Sequence, residues 1–229
     1  MSELSRYDNR IQAGNILAKK LDKYRSDENV IVLGLPRGGV PVAFAISNKL
    51  KKPLDIFVVK KIGAPGQEEL AIGAIASTGE VSINTELVKR LDLSDAELQD
   101  LIELKKDELK DREKLLRGNT SPIDIKGKRV ILVDDGLATG ATMLTAINAI
   151  HKMNPLGITV AVPVASHEAL ATISKEVNQV ICPLVPDFFY SVGVWYEDFR
   201  QTTDGEVLTF LETAKHDYEL SHLDRREIT

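Results

Sequence analysis

Short apolar runs alternate with amphipathic stretches along most of the chain. The runs are rich in β-branched residues and are predicted as buried strands at 30–35, 54–61, 129–133, 158–164 and 179–182. Between them, apolar residues recur at helical spacing over 40–50, 141–152 and 168–177, which predicts helices. Strands that alternate with helices favour an α/β fold, with a central, mostly parallel sheet flanked by helices.

Two more helices and a flap are predicted outside this alternation. Apolar residues at helical spacing predict an opening helix over 8–25 and a short helix over 207–214. The stretch 61–84 is punctuated by glycine and proline, and Thr78 with Gly79 favours a hairpin turn within it. This stretch is therefore interpreted as a flexible flap.

A long charged helix is predicted over 94–118. Ser94 and Glu97 form a capping box at its start, and an apolar stripe follows that would seat the helix on the core or on a second subunit. Because the chain has no low-complexity linker or internal repeat, 1–229 is predicted as a single domain. Its parts are a core at about 26–182, a flap at about 61–84, a helical insertion at about 94–118 and a small C-terminal hood at about 183–200.

Composition narrows the function classes. The 29 basic and 34 acidic residues leave a net charge of −5, which gives no global footprint for nucleic acid. Cys182 is the only cysteine, so neither an intrachain disulfide nor a cysteine metal cluster is expected. No segment approaches 18 uninterrupted apolar residues, and the N-terminus lacks an apolar signal core. We expect a cytoplasmic protein with no membrane or nucleic-acid partner.

The candidate chemistry lies just beyond the third predicted strand. Asp134 and Asp135 stand at the carboxyl end of an apolar run, where buried carboxylates need hydroxyl groups, a cation or water as partners. Gly136 and Gly140 permit tight turns, and the hydroxyl group of Thr139 lies where the next helix presents unpaired amides. Carboxylates beside such an anion cradle suit a sugar phosphate better than a nucleotide polyphosphate alone.

Over 130–142 the chain resembles the signature of type I phosphoribosyltransferases, which is an apolar strand, Asp-Asp, two linking residues and Ala-Thr-Gly-x-Thr. The alternative is a chance acidic turn before a helix. The resemblance implies that Asp134 and Asp135 hold ribose hydroxyls. It also implies a 5-phosphate loop made of Gly136, Ala138, Thr139, Gly140, Ala141 and Thr142. Gly136 stands where the family usually has a branched or apolar residue, and this departure is expected to loosen the turn.

Two further segments correspond by position to parts of that family that handle pyrophosphate. After the first core strand, Arg37, Gly38 and Gly39 stand in the place of the pyrophosphate loop, although Gly-Gly beside an exposed arginine would also suit a simple tight turn. Lys60 and Lys61 are predicted at a strand-to-loop exit that leads into the mobile catalytic loop. One of the two is expected to be catalytic, and the sequence does not say which.

The hood is similar to a segment that covers the base in hypoxanthine-guanine phosphoribosyltransferases. Tyr190 falls at the position of the stacking aromatic residue, and Trp195 is a second candidate, although most aromatics there are expected to cap the core. Glu197 or Asp198 is in a position to reach Mg²⁺ through water. The purine enzymes carry a carboxylate where this chain has Ala138, so the base is not identified.

The resemblance implies an Mg²⁺-dependent transfer of phosphoribose from 5-phosphoribosyl-1-pyrophosphate to a nitrogenous base, with release of pyrophosphate. No residue is an evident general base. The alternative is a non-catalytic regulator of nucleotide metabolism that senses the same sugar phosphate, because the fold hosts both kinds of protein. Much of the chain also resembles an uncharacterised group that shares the long flap. A homodimer is a family-level expectation.

Overall fold

Helices and strands alternate along the chain as the hydrophobic pattern predicts. The structure, a computed structural model, describes residues 6–118 and 120–226. Its strands are β1 (Val30–Gly34), β2 (Leu54–Ile56), β3 (Val59–Ala64), β4 (Gln67–Ala76), β5 (Val81–Ile83), β6 (Arg129–Val133), β7 (Gly157–Ala161) and β8 (Gln179–Ile181). Its helices are α1 (Arg10–Lys20), α2 (Gly39–Leu50), α3 (Thr85–Arg90), α4 (Asp95–Arg117), α5 (Ala141–Lys152), α6 (His167–Ile173) and α7 (Asp204–Arg226), with short 3-10 helices at Asp22–Tyr24 and Val192–Trp195.

A parallel sheet in the order β2-β1-β6-β7-β8 forms the centre of the fold, as predicted. Strand β1 lies between β2 and β6, and it pairs with β6 from Val30 opposite Arg129 to Gly34 opposite Val133. Because parallel strands end at the same edge, the loops that follow β1, β6 and β7 meet there. This edge brings the predicted site segments 35–39 and 134–142 together.

Helices cover both faces of this sheet because its strands are apolar on both sides. Val130 and Leu132 belong to the cluster beneath α5 and α6. Ile131 and Val133, the alternate residues of the same strand, pack with α1, α2 and α7. A strand that is buried on both faces reads as a continuous apolar run, which is the pattern of β6. The predicted flanking of the sheet by helices is confirmed.

The flap folds as a second sheet, antiparallel and in the order β3-β4-β5. The predicted hairpin is present, and Gly79 in the turn between β4 and β5 has a φ of 85°, a conformation that favours glycine. Strand β3 pairs with β4 along most of its length, with a register shift near Gly63. The segment that was predicted as a flap is therefore a three-stranded hairpin sheet in this structure.

The predicted strand over 54–61 is wrong, because the chain changes sheets within it. The Phe57 amide donates to the carbonyl oxygen of Gly34 at 3.1 Å, and the next carbonyl, of Val58, accepts from the Ser77 amide in the flap at 2.8 Å. Both halves are apolar, so periodicity does not reveal the change of sheet. Lys60 and Lys61 consequently lie inside β3, opposite residues of β4, and not at a strand-to-loop exit.

Helix α4 lies between the flap and α7. The predicted capping box is present, with the Glu97 amide donating to Ser94 Oγ at 3.3 Å and the Ser94 amide donating to Glu97 Oε2 at 2.9 Å. Ile102, Leu109 and Leu116 are buried in a cluster with flap residues and residues of α7. The apolar stripe therefore seats α4 on the flap and the C-terminal helix of the same chain.

Helix α7 is longer than the predicted helix over 207–214. It starts with a second capping box, in which the Glu206 amide donates to Thr203 Oγ1 at 3.2 Å and the Thr203 amide donates to Glu206 Oε2 at 2.8 Å.

None of the helices in the described part of the chain is long and apolar enough to cross a lipid bilayer. Strand β7 ends at Ala161 and helix α6 ends at Ile173, both earlier than predicted. Pro163 explains the early end of β7, because proline has no amide hydrogen to donate to a neighbouring strand.

Candidate functional site

Two loops at the carboxyl edge of the parallel sheet touch each other directly. A Cβ atom on Gly38 would overlap the carboxylate of Asp135, and one on Gly39 would lie 2.6 Å from the carbonyl oxygen of Val133 and 2.8 Å from Cα of Asp134. The space between the loops therefore admits only glycine. The structure thus brings the predicted pyrophosphate loop and the predicted ribose carboxylates together, with Arg37 directly before the contact.

Asp135 is held by a residue that the sequence does not point to. Arg10 of α1 donates from Nε to Asp135 Oδ2 at 2.8 Å, and its Nη2 lies at the same distance from that oxygen. The guanidinium group also donates to the carbonyl oxygen of Arg200 at 2.8 Å and lies 3.9 Å from the ring centre of Phe199. Tyr196 donates from its hydroxyl group to the carbonyl oxygen of Asp135 at 2.6 Å. These contacts make Asp135 a structural partner of α1 and of the hood.

Asp134 lies beside Asp135 at the carboxyl end of β6. Its Oδ1 accepts from the Asp135 amide at 2.8 Å. Burial, followed by the neighbouring charge of Asp135, raises the pKa of Asp134 well above its usual value. Burial also raises the pKa of Asp135, against the opposing charge of Arg10. A ligand that donates hydrogen bonds or brings a cation would stabilise the ionised form of Asp134.

The loop between β6 and α5, where the anion cradle was predicted, leads directly into the N-terminus of α5. It is fixed from behind, because the Leu137 amide donates to the carbonyl oxygen of Val164 at 2.9 Å and Ser166 Oγ donates to that of Ala138 at 2.7 Å. Gly140 adopts a φ of 74° at the N-cap of α5. Ala138, Thr139 and Ala141 are exposed and Thr142 is half-buried, so this loop faces solvent at the helix N-terminus. Such a terminus presents amides and a partial positive charge to an anion.

Gly136 has a different role from the one expected. Its φ is not positive, so its backbone does not require glycine. A Cβ there would lie 2.6 Å and 2.8 Å from the two methyl groups of Val192 in the hood, and 3.1 Å from a methyl group of Val164. The expectation of a looser turn is therefore wrong. Val192 occupies the space that a branched side chain at this position would need.

Replacing Gly136 with valine is expected to lower the free energy of unfolding by about 1–3 kcal/mol, because the added methyl groups overpack against Val192. Urea denaturation at neutral pH measures this loss. Adding Val192→Ala to the variant is expected to recover most of it, since the two substitutions exchange volume between touching positions. An equal loss with and without Val192→Ala would contradict the assigned contact.

The cations of the predicted pyrophosphate site are held by ion pairs with α4 and α7. Arg37 Nη1 lies 3.5 Å from Asp204 Oδ1. Lys60 pairs with Glu108 of α4, and this contact is the first cause of the lowered pKa of Glu108. Lys61 is exposed. The structure therefore distinguishes the two lysines: Lys60 reaches α4, and Lys61 lies at the surface of the flap.

The hood places its predicted residues unequally. Tyr190 is 85% exposed and offers a free ring face. Trp195 packs against the cluster of Tyr7 and Tyr196, and its indole N–H is buried without a hydrogen-bond partner among the described residues. Glu197 and Asp198 are exposed, and their amides donate to the carbonyl oxygens of Tyr7 and Asp8 at 2.8 Å and 2.9 Å. The described contacts do not join either carboxylate to Asp134.

Comparison with known proteins agrees with this geometry. Residues 1–199 match the family model described as "Phosphoribosyl transferase domain". The chain is 39% identical over 213 residues to a Mycobacterium tuberculosis (strain H37Rv) protein named "Putative phosphoribosyl transferase Rv0571c", with 93% of this chain and 48% of that protein covered. The chain thus spans about half the length of the curated relatives it matches first.

Two further similarities concern a shorter segment and the fold. The chain is 30% identical over 132 residues to the "Bifunctional protein PyrR" of Clostridium novyi, covering 58% of this chain and 54% of that protein. The crystal structure of TT1426 from Thermus thermophilus superposes with a TM-score of 0.79 at 37% identity, covering 90% of this chain and 97% of that one. Together with the Asp134–Thr142 loop at the edge of a parallel sheet, these matches show that the chain belongs to the phosphoribosyl transferase domain family.

Proposed function

We propose that this protein transfers the phosphoribosyl group of 5-phosphoribosyl-1-pyrophosphate to a nitrogenous base and releases pyrophosphate. The observation that carries the proposal is the position of Asp134, a half-buried carboxylate next to the solvent-facing loop at the N-terminus of α5. A ribose 5-phosphate fits both features at once, because its hydroxyl groups donate to a carboxylate and its phosphate accepts from amides.

Charge placement accounts for the chemistry that these residues would perform. The ribose develops positive charge when the bond to pyrophosphate breaks, and the carboxylate of Asp134 stabilises that charge. The cradle at 136–142 fixes the 5-phosphate, while Arg37 and Lys60 neutralise the leaving pyrophosphate. No described residue is an evident general base, so the incoming nitrogen loses its proton to solvent or to pyrophosphate oxygen.

Mg²⁺ fits this site only if the protein and the substrate coordinate it together. Among the described residues, no group of three or more histidine, cysteine or acidic side chains could hold a metal ion. Magnesium is commonly held by one or two carboxylates together with substrate phosphates and water. Asp134 would supply one carboxylate, and Glu197 or Asp198 would act through water. The ion would neutralise charge on the pyrophosphate group when bound.

The acceptor base would lie beneath the hood. Tyr190 offers an exposed ring for stacking on a planar heterocycle. Trp195 would act from its half-buried position at the edge of the same segment. Stacking tolerates many ring systems, so this geometry favours a nitrogenous base without naming one. A cytoplasmic location and a homodimer accompany the proposal as family-level expectations.

Calorimetric titration of 5-phosphoribosyl-1-pyrophosphate with Mg²⁺ tests the proposal. Wild-type protein is expected to bind, and Asp134→Asn is expected to bind about tenfold to a hundredfold more weakly, because a hydrogen bond to a charged group is lost. Asp134 is preferred to Asp135 as the test position because Asp135 also anchors Arg10. Asp100→Asn, which removes the same charge from an exposed position on α4, is the matched control.

Absence of binding to wild-type protein would overturn the proposed function and leave the fold alone. Equal weakening by Asp134→Asn and Asp100→Asn would show that net charge, and not the site, governs the affinity. Where binding is confirmed, turnover with a panel of purine and pyrimidine bases separates a transferase from a sensor. Binding without turnover on any base would favour the non-catalytic alternative.

A further inference from the structure

Asp204, the first residue of α7, is shared between two arginines. Arg112 of α4 binds it with both nitrogens, at 2.7 Å from Nη1 to Oδ2 and 2.6 Å from Nη2 to Oδ1. Arg37 reaches the same carboxylate through a single long contact of 3.5 Å. Hydrogen bonds from Arg112 are the largest cause of the lowered pKa of Asp204, ahead of the charge of Arg37. The carboxylate of Asp204 is therefore bound chiefly by Arg112.

This division of contacts bears on the pyrophosphate loop. The bidentate pair with Arg112 is short and strong, whereas a single 3.5 Å contact binds Arg37 only weakly to the same carboxylate. Two guanidinium groups around one carboxylate also leave a net positive charge. All three side chains are about one-third exposed, at 31%, 32% and 29% for Arg37, Arg112 and Asp204. An anion arriving from solvent therefore finds Arg37 accessible and only loosely held.

The flap lysine lies against the same face of α4. Lys60 pairs with Glu108, which also accepts from Lys105 at 3.0 Å. Glu108 and Arg112 are four residues apart, so they stand about one turn, roughly 6 Å, along a single face of the helix. Lys60 and Arg37 are thus connected to adjacent turns of α4, Lys60 directly through Glu108 and Arg37 indirectly through Asp204 of α7 and Arg112. This helix is the common support for both.

We infer that Arg112 is a positioning residue for pyrophosphate binding: it binds the carboxylate of Asp204, so that Arg37 keeps only one long contact with Asp204 and stays available to the anion. The inference rests on the proposed function. Without Arg112, the carboxylate of Asp204 is free to take Arg37 as its bidentate partner, and the loop cation then needs to break an ion pair before it binds substrate. Removing Asp204 as well abolishes that competition.

Titration of inorganic pyrophosphate with Mg²⁺ into wild-type protein and four variants tests this. Arg112→Gln is expected to bind about threefold to tenfold more weakly than wild type, the size of a partly exposed ion pair between charged groups. The double variant Arg112→Gln, Asp204→Asn is expected to return to within about twofold of wild type. Lys110→Gln, on an exposed face of α4 and paired only with exposed Asp107, removes the same charge and is expected to change affinity by less than about twofold.

The outcomes separate the inference from the function beneath it. If wild-type protein binds no pyrophosphate and no 5-phosphoribosyl-1-pyrophosphate, both fall. If wild type binds and Arg112→Gln equals Lys110→Gln, only the inference falls. A double variant that stays as weak as Arg112→Gln also overturns it, because Arg112 would then contact the anion itself or merely support the fold. Asp204→Asn alone is expected to bind at least as tightly as wild type, and a loss of affinity there is contrary to the inference.

Discussion

Replacing Arg117 with methionine is expected to lower the free energy of unfolding by about 3–5 kcal/mol, because it leaves a buried charge without its partner. The side chains of Arg117 and Asp55 are only 6% and 8% exposed. Arg117 pairs with Asp55 and Glu113 and donates to the carbonyl oxygen of Ile56 at 2.7 Å. Methionine would fill much of the volume, yet Asp55 would keep its charge in a buried position. Urea denaturation at pH 7 measures the loss.

An exposed arginine provides the control for that measurement. Arg25 pairs with Asp22, but the two side chains are 52% and 64% exposed. Arg25→Met is therefore expected to cost less than about 1 kcal/mol. Adding Asp55→Asn to Arg117→Met removes the stranded charge and is expected to recover part of the stability. A loss at Arg117 no larger than the loss at Arg25 would refute the view that this ion pair fixes the end of α4 to β2.

Replacing Arg10 with glutamine is the second large effect, with an expected loss of about 3 kcal/mol at pH 7. Arg10 and Asp135 are 10% and 15% exposed, so their pair is poorly screened by water. Burial already raises the pKa of Asp135 against the charge of Arg10, and removal of that charge raises it further. The protonated carboxyl group carries no charge that needs a partner. The loss is therefore expected to shrink as the pH falls towards 5.

The direction of this pH dependence is what makes the second prediction specific. A carboxyl group whose pKa is higher in the folded than in the unfolded protein favours folding at low pH, and that contribution disappears as the pH rises through the folded value. Denaturation of wild type and Arg10→Gln between about pH 5 and about pH 8 measures it. Arg129→Gln, which removes a more exposed pair with Asp27, is the control. A loss that is constant across this range would instead assign the role of Arg10 to its contacts with Phe199 and with the carbonyl oxygen of Arg200.

Local patterns account for what the sequence predicted well. Helix α5 has the predicted bounds, 141–152, because apolar spacing and the preceding glycine both mark its start. The Ser94–Glu97 capping box set the start of α4 in the same way. Thr203 and Glu206 form the same kind of capping box at the start of α7, so the start of that helix could also have been predicted. The loop from Asp134 to Thr142 was recognisable as a candidate site because its residues are contiguous in the sequence.

Contacts between residues far apart in the chain account for what the sequence did not predict. Arg10 lies 125 residues from Asp135, and Arg112 lies 92 residues from Asp204. In a helical pattern such arginines are interpreted as solvent-exposed, because no residue nearby in the chain indicates their partners. Gly136 is similar: only the position of Val192 explains why a side chain is excluded there. The sequence did not reveal that the chain changes sheets after Phe57, because both sheets bury apolar residues.

The pairing of β1 with β6 sets an order of events during synthesis. Val30 meets Arg129, so the central pair of strands closes a loop of about a hundred residues, a separation that slows folding. Everything between them, including the flap and α4, leaves the ribosome before β6 does. The flap strands have short-range pairings to form in the meantime, but the cluster that joins them to α4 also includes Val207 and Phe210 of α7, which follow β6. We therefore expect the flap hairpins to form before the central sheet closes, and the packing of α4 against them to be completed when α7 docks.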